Sequence, residues 1–164
     1  MLTAPPVLAR AWLRVMGWLE ALQPLALLAA RLYVAKAFFW SGLTKIRDWD
    51  TTLALFADEY HVPVLPPEVA AVAGTTGELV LPVLLAVGLA GRFSAMGLFV
   101  LNIVAVLSLQ EIADAALQQH IFWGSLLTGL ILWGPGKWSV DHVVAPRFLG
   151  VANLAPMASG SAGN

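Results

Sequence analysis

Glu78 is a carboxylate flanked by Gly77, Leu79, Val80 and Leu81, in a stretch apolar enough to lie in lipid. An ionisable side chain at the centre of a bilayer costs about 2.5 to 3.5 kcal/mol on insertion scales, so it needs either a partner or a task. Arg31 and Lys36 stand in a second apolar stretch, Asn102 in a third and His120 in a fourth. Together these residue types support three chemistries. Glu78 with Arg31 or Lys36 can be a structural ion pair, with Asn102 as hydrogen-bonding glue between helices. The same acid, cation and neutral groups can hold a small polar ligand such as a quinone head group. Glu78 can also serve a proton path. Arg31 and Lys36 lie about 140° apart around a helix, so only one of them need meet Glu78.

Other chemistry finds little support. No serine-histidine-acid order, phosphate loop or nucleotide fingerprint occurs, and no residue is assigned as catalytic. His61, His120 and His142 are scattered without a metal-ligand spacing, and no metal site is expected. His61 with Asp58 and Glu59 reads as a solvated acidic loop. The absence of cysteine excludes disulfides, thiol redox chemistry and thiolate-held clusters, so no cofactor is intrinsic and any electron carrier belongs to a partner.

The elements that must position these groups are membrane spans. Of 164 residues, 59% are hydrophobic and only 12% charged, with a mean hydropathy of +0.79. A soluble domain of this length cannot use so much apolar surface. A spanning helix needs about 20 mostly apolar residues, and segments near 21–43, 69–91, 93–109 and 113–133 qualify. With span midpoints taken as one plane, Arg31, Lys36, Glu78, Asn102 and His120 fall within about two helical turns of a common depth. Gly91 and Arg92 leave room only for a tight hairpin between the second and third spans.

Residues 1–20 read as an interfacial helix, because Leu8, Trp12, Val15 and Leu19 recur at helical spacing with Arg10 and Arg14 elsewhere on the wheel. Arg10, Arg14 and Glu20 interrupt the compact apolar core that a cleavable signal peptide requires. Between the first two spans, Leu53, Phe56, Ala57 and Tyr60 predict a short surface helix that the Pro63, Pro66 and Pro67 cluster ends. Thr75, Thr76, Gly77, Gly124 and Thr128 read as small residues that let helices approach. The transmembrane domain extends to about residue 148, and the small, polar tail 149–164 is expected to be disordered. The fold class is therefore an all-α membrane protein, a four-transmembrane-helix bundle with an N-terminal amphipathic surface helix.

Basic residues in short loops orient such a bundle. Cytoplasmic termini collect Arg10, Arg14, Arg92, Lys137 and Arg147 on the inner side, against Lys45 and Arg47 on the outer. Trp40 and Trp49 then lie near the outer boundary and Trp133 and Trp138 near the inner one, as aromatic belts do. The net charge of -1 gives no reason to expect nucleic acid as a partner.

Three stretches carry a family resemblance. The first has Arg31, the aromatic run Phe38, Phe39 and Trp40, then Ser41, Gly42 and Lys45. The second has Gly77-Glu78 and a leucine-rich run to Gly88 and Arg92. The third is Gly134, Pro135 and Gly136 followed by Ser139 and Asp141. This ordered set, from about Ala29 to His142, resembles the DoxX family of small bacterial integral membrane proteins. The resemblance implies a four-helix bundle in the bacterial inner membrane. It also implies a redox association, since the name-giving members are regarded as small subunits of a thiosulfate:quinone oxidoreductase and others accompany oxidative-stress or metal-stress systems. The expected function is an accessory subunit of a quinone-linked or stress-related redox system, with a quinone as candidate ligand and a redox or stress-system protein as partner. A small transporter or exporter component and a membrane scaffold are the alternatives, and small-residue faces suit a homodimer. Asp141, following a turn, reads as a capping carboxylate.

Overall fold

The computed structural model describes residues 7–148, so the tail expected to be disordered lies outside the described residues. Six helices follow one another among the described residues: α1 Val7–Arg47, α2 Trp49–Asp58, α3 Pro67–Val87, α4 Gly91–Ser108, α5 Asp114–Trp133 and α6 Val140–Phe148. No sheet forms among the described residues; an isolated bridge joins Tyr60 to Leu109.

Helices α1, α3, α4 and α5 pack in that order, and α5 returns to α1. The enclosed core is Val34 and Phe38 from α1, Leu85 from α3, Ala95 and Leu98 from α4, and Leu127 and Leu130 from α5. Three of the helices, α1, α3 and α4, are long and apolar enough to cross a membrane. The chain is thus an all-helical, multi-pass membrane protein. α5 carries Gln118, Gln119 and His120 in its first half, which dilutes its apolar character.

The expected break near residue 20 does not occur, because α1 is one helix of 41 residues. Ala21, Leu22 and Gln23 are good helix formers, and Pro24 lies inside the helix without ending it. Its missing N–H deprives only the Glu20 carbonyl of a partner. At 1.5 Å per residue α1 is about 60 Å long, twice the hydrocarbon core of a bilayer. Its buried residues begin only at Arg31. The preceding turns form an arm on which Leu8, Trp12, Val15 and Leu19 are all exposed.

Local chemistry sets the other helix ends. Asp48 caps α2 by accepting from the Thr51 N–H at 3.1 Å and its hydroxyl at 2.7 Å. These bonds, the hydroxyl's first, hold the Asp48 carboxyl below its ordinary pKa. Phe56 and Tyr60 seat the α2 segment on Ala70 and Ala71 of α3. Pro67 opens α3 at its first position, where a missing N–H costs nothing. Gly88 ends it with φ +76°. The hairpin turn is therefore Gly88 to Ala90, slightly earlier than expected, and Gly91 and Arg92 already belong to α4.

The approach of α1 to α3 depends on Gly42. A Cβ there would stand 2.9 Å from Leu79 Cγ and 3.2 Å from the Glu78 carbonyl carbon. Gly42→Val is expected to destabilise the protein by about 1 to 3 kcal/mol through overpacking, measured by thermal unfolding in detergent micelles. An unchanged midpoint would show that the two helices can separate here at no cost.

Candidate functional site

The register that Gly42 fixes decides which charges meet. α1 and α3 run antiparallel with Gly42 against Glu78, and one turn further along α1 the Lys45 ammonium reaches the Glu78 carboxylate. Lys45 Nζ donates to Oε1 at 2.6 Å and to Oε2 at 2.5 Å, and it lies 3.4 Å from the Ser41 hydroxyl. The pair sits midway along α3, with side chains 19% and 11% exposed. It is largely enclosed but still open at one edge.

This corrects the expectation that Arg31 or Lys36 is the cation facing Glu78. Arg31 lies against Gly88, at the far end of α3. It is 1% exposed, and its Nη2 donates to the Trp138 carbonyl at 2.6 Å. Lys36 is exposed and lines an outward groove of about 290 Å³ with Leu32, Phe39, Pro82 and Val83. A lysine stem lying on apolar surface can carry its ammonium toward the membrane boundary, so Lys36 needs no carboxylate. Arg31, Lys36 and Glu78 therefore do not form one cluster.

Asn102 and His120 do meet. Asn102 Nδ2 donates to the His120 carbonyl at 3.0 Å, and Asn102 Oδ1 lies 2.8 Å from His120 Nδ1. Gly124, whose Cβ position would lie 3.3 Å from Asn102 Nδ2, leaves the space for this contact between α4 and α5. Gly77 of α3 faces Leu101 of α4, so the Asn102–His120 pair lies within about a turn of the depth of Glu78. Trp123 packs edge-on to His120 at 5.2 Å and against Phe38 at 5.6 Å. Its buried indole N–H has no partner.

One further residue joins the Glu78 site in a role that spacing alone does not give it. Thr75 precedes Glu78 by one turn on the same buried face, and its hydroxyl is buried without a partner. Tyr60 packs against Phe56 at 5.0 Å, outside the hydrogen bonds of the Lys45–Glu78 pair. Burial first, then the charges of Glu59 and Glu78, push its phenol above the ordinary value and keep it a proton donor. The site thus offers a carboxylate, an ammonium and the Thr75 hydroxyl. It can hold a proton, or bind a group that has carbonyl or hydroxyl oxygens. Among the described residues, no three histidine, aspartate or glutamate side chains gather as metal ligands.

The residues from Gly134 to Asp141 build a clasp at the other end. Asp141 Oδ1 accepts from the Ala90 N–H at 2.8 Å and Oδ2 from the Gly91 N–H at 2.7 Å, capping α4. The Asp141 N–H donates to the Gly88 carbonyl at 2.9 Å. Gly134 and Gly136 supply positive φ angles of +81° and +83°. Ser139 ties the turn by donating to the Gly136 carbonyl at 2.7 Å. Arg92 donates to the Leu132 carbonyl at 3.3 Å. The clasp leaves an open cleft of about 710 Å³ beside α1.

Comparison with known proteins gives a relative and a family. An uncharacterized protein of Haemophilus influenzae is 30% identical over 128 residues, covering 73% of this chain and 83% of its own length. No solved structure matches the chain. The DoxX family model matches residues 26–111, which run from the base of the α1 arm through α4 and include Gly42, Lys45 and Glu78 but stop before the Gly134–Asp141 clasp. With that match extending over more than half of its 164 residues, the chain belongs to the DoxX family.

Proposed function

We propose that this chain is the accessory membrane subunit of a quinone-linked or stress-related redox system, and that the Lys45–Glu78 pair is where a quinone head group docks. One observation carries the reading: an ion pair half-way through a spanning helix, open at one edge, with the Thr75 hydroxyl unpartnered on the same face. A structural pair alone has no use for an unpartnered buried donor, which costs about 1 to 3 kcal/mol. A bound quinone supplies the coupled electron and proton chemistry. The chain's own part is narrower: Lys45 and the Thr75 hydroxyl donate hydrogen bonds that orient the ring oxygens, and Glu78 takes or returns a proton. The electrons pass to a partner subunit, since a chain without cysteine brings no thiolate-held centre.

The same reading makes α5 the fourth crossing. Its 20 residues cover about 30 Å, the thickness of the hydrocarbon core. His120 is satisfied by Asn102 rather than left to lipid. The excess of Arg10, Arg14, Arg92 and Lys137 at one end supports cytoplasmic termini in an inner membrane.

Native mass spectrometry of the protein taken gently from its own membranes tests the proposal. Wild type is expected to carry a quinone-sized ligand or a redox subunit, and Glu78→Gln to lose the ligand. The exchanged pair, Lys45→Glu with Glu78→Lys, keeps the attraction between α1 and α3 while moving the carboxylate, and is expected to lose the ligand too. Bare protein in all three samples, or a ligand indifferent to both changes, rules the proposal out.

A further inference from the structure

We propose that the cleft beside the clasp binds the head group of an anionic glycerophospholipid. Arg92, Lys137 and His142 line it together with Leu27, Phe93 and Trp133, so the lining combines cationic and hydrogen-bonding side chains with apolar ones. That mixture favours an amphiphile over a small ion. Asp141 also lines the cleft, but its two carboxylate oxygens are taken by the Ala90 and Gly91 N–H groups. Neither Arg92 nor Lys137 has a carboxylate partner among the described residues, where the one salt bridge is Lys45–Glu78. Arg31 lies against Gly88 close to Ser139, its Nε and Nη1 buried without hydrogen-bond partners, and its charge balances that of Asp141.

Depth identifies the source of the anion. The cleft lies at the α3–α4 turn and the last residues of α5, where the apolar helices end, and Trp133 and Trp138 stand 65% and 58% exposed there. Exposed tryptophans at helix ends mark the interface of a bilayer. A basic pocket between helices at this level is placed to take a phospholipid phosphate. The apolar lining residues Leu27, Phe93 and Trp133 are then left to the glycerol backbone and the first carbons of the acyl chains.

Reconstitution in phosphatidylcholine nanodiscs, with and without phosphatidylglycerol, provides the test. Native mass spectrometry is expected to find phosphatidylglycerol retained by wild type, with a raised thermal midpoint, and retention reduced about fivefold for each cation removed in Arg92→Gln and Lys137→Gln. The Lys137 side chain makes no hydrogen bond among the described residues and is exposed, so its substitution remains informative if Arg92→Gln fails to fold. Lys36→Gln, which alters the separate groove between α1 and α3, is expected to leave retention unchanged. Equal retention of both lipids, full retention in Lys137→Gln, or loss in Lys36→Gln overturns the assignment. So does a midpoint raised as far by inorganic phosphate in pure phosphatidylcholine, because the anion would then be free phosphate and not a lipid.

Discussion

Glu78→Gln is expected to lower the unfolding free energy by about 3 kcal/mol, and Lys45→Met by a similar amount, because each leaves a charge in the membrane interior without its counter-ion. The value sits at the lower end of the range for a broken buried pair. Lys45 retains 19% side-chain exposure and Ser41 as a second contact, so its ammonium is not wholly stranded. The double substitution Lys45→Met with Glu78→Met is expected to recover most of the loss, since replacing a buried ion pair by apolar side chains of similar volume is often neutral or stabilising. A double-mutant cycle on thermal unfolding in micelles reads the coupling directly. Single costs below about 1 kcal/mol would place the pair with ordinary surface ion pairs and show that it does not hold α1 on α3. The apolar double variant also separates fold from function, because it keeps the helices together while deleting the chemistry proposed for the site.

The contrast between Lys45 and the two cations expected at the site shows what the sequence can and cannot say. Long apolar runs punctuated by Pro66, Pro67 and Gly88 make α3 and α4 readable as spans, since proline and glycine act locally. The Asn102–His120 contact is also near the surface of the sequence, as α4 and α5 are joined by a short loop and must lie antiparallel. Depth on α1 is different. Its apolar run starts far outside the bundle, so the midpoint of that run is not the midpoint of the part that packs, and Lys45 reads as a loop residue. What places Lys45 opposite Glu78 is the long-range register, set by the close approach at Gly42 and by Arg31 against Gly88. A small residue one turn before a lysine is the signal that could have pointed to it. Asp141 is readable as a capping carboxylate, but the helix that it caps lies about fifty residues away in the chain and no local rule names it.

Gly88→Ala is expected to have an effect of similar size, about 3 kcal/mol or more, from two causes that add at one atom. A φ of +76° places an L-residue in the left-handed region, at roughly 1 to 2 kcal/mol. A Cβ at this position would also stand 2.9 Å from the Ser139 Cα and crowd the Arg31 guanidinium. The Arg31 side chain can shift, but the Ser139 backbone can move only by lifting the whole Gly134–Asp141 segment. Overpacking of that kind costs about 1 to 3 kcal/mol. Lifting it pulls the Asp141 carboxylate from the Ala90 and Gly91 N–H groups and takes the Trp138 carbonyl from Arg31. Ala90, itself at φ +50°, would lose the contact that holds its strained conformation. Asp141→Ala removes the same cap without the steric clash and is expected to cost about 1.5 to 3 kcal/mol as a loss of hydrogen bonds to a charged group. Because both changes open one clasp, their combination should cost clearly less than the two single losses together. Gly17→Ala provides the opposite control: nothing lies within 4 Å of its Cβ position, and it should stabilise α1 by roughly 0.5 to 1 kcal/mol. Thermal unfolding of these variants, with hydrogen exchange at the Ala90 and Gly91 amides, tests the scheme. A Gly88→Ala midpoint close to wild type, or strict additivity with Asp141→Ala, would mean that the clasp does not hold the α3–α4 turn.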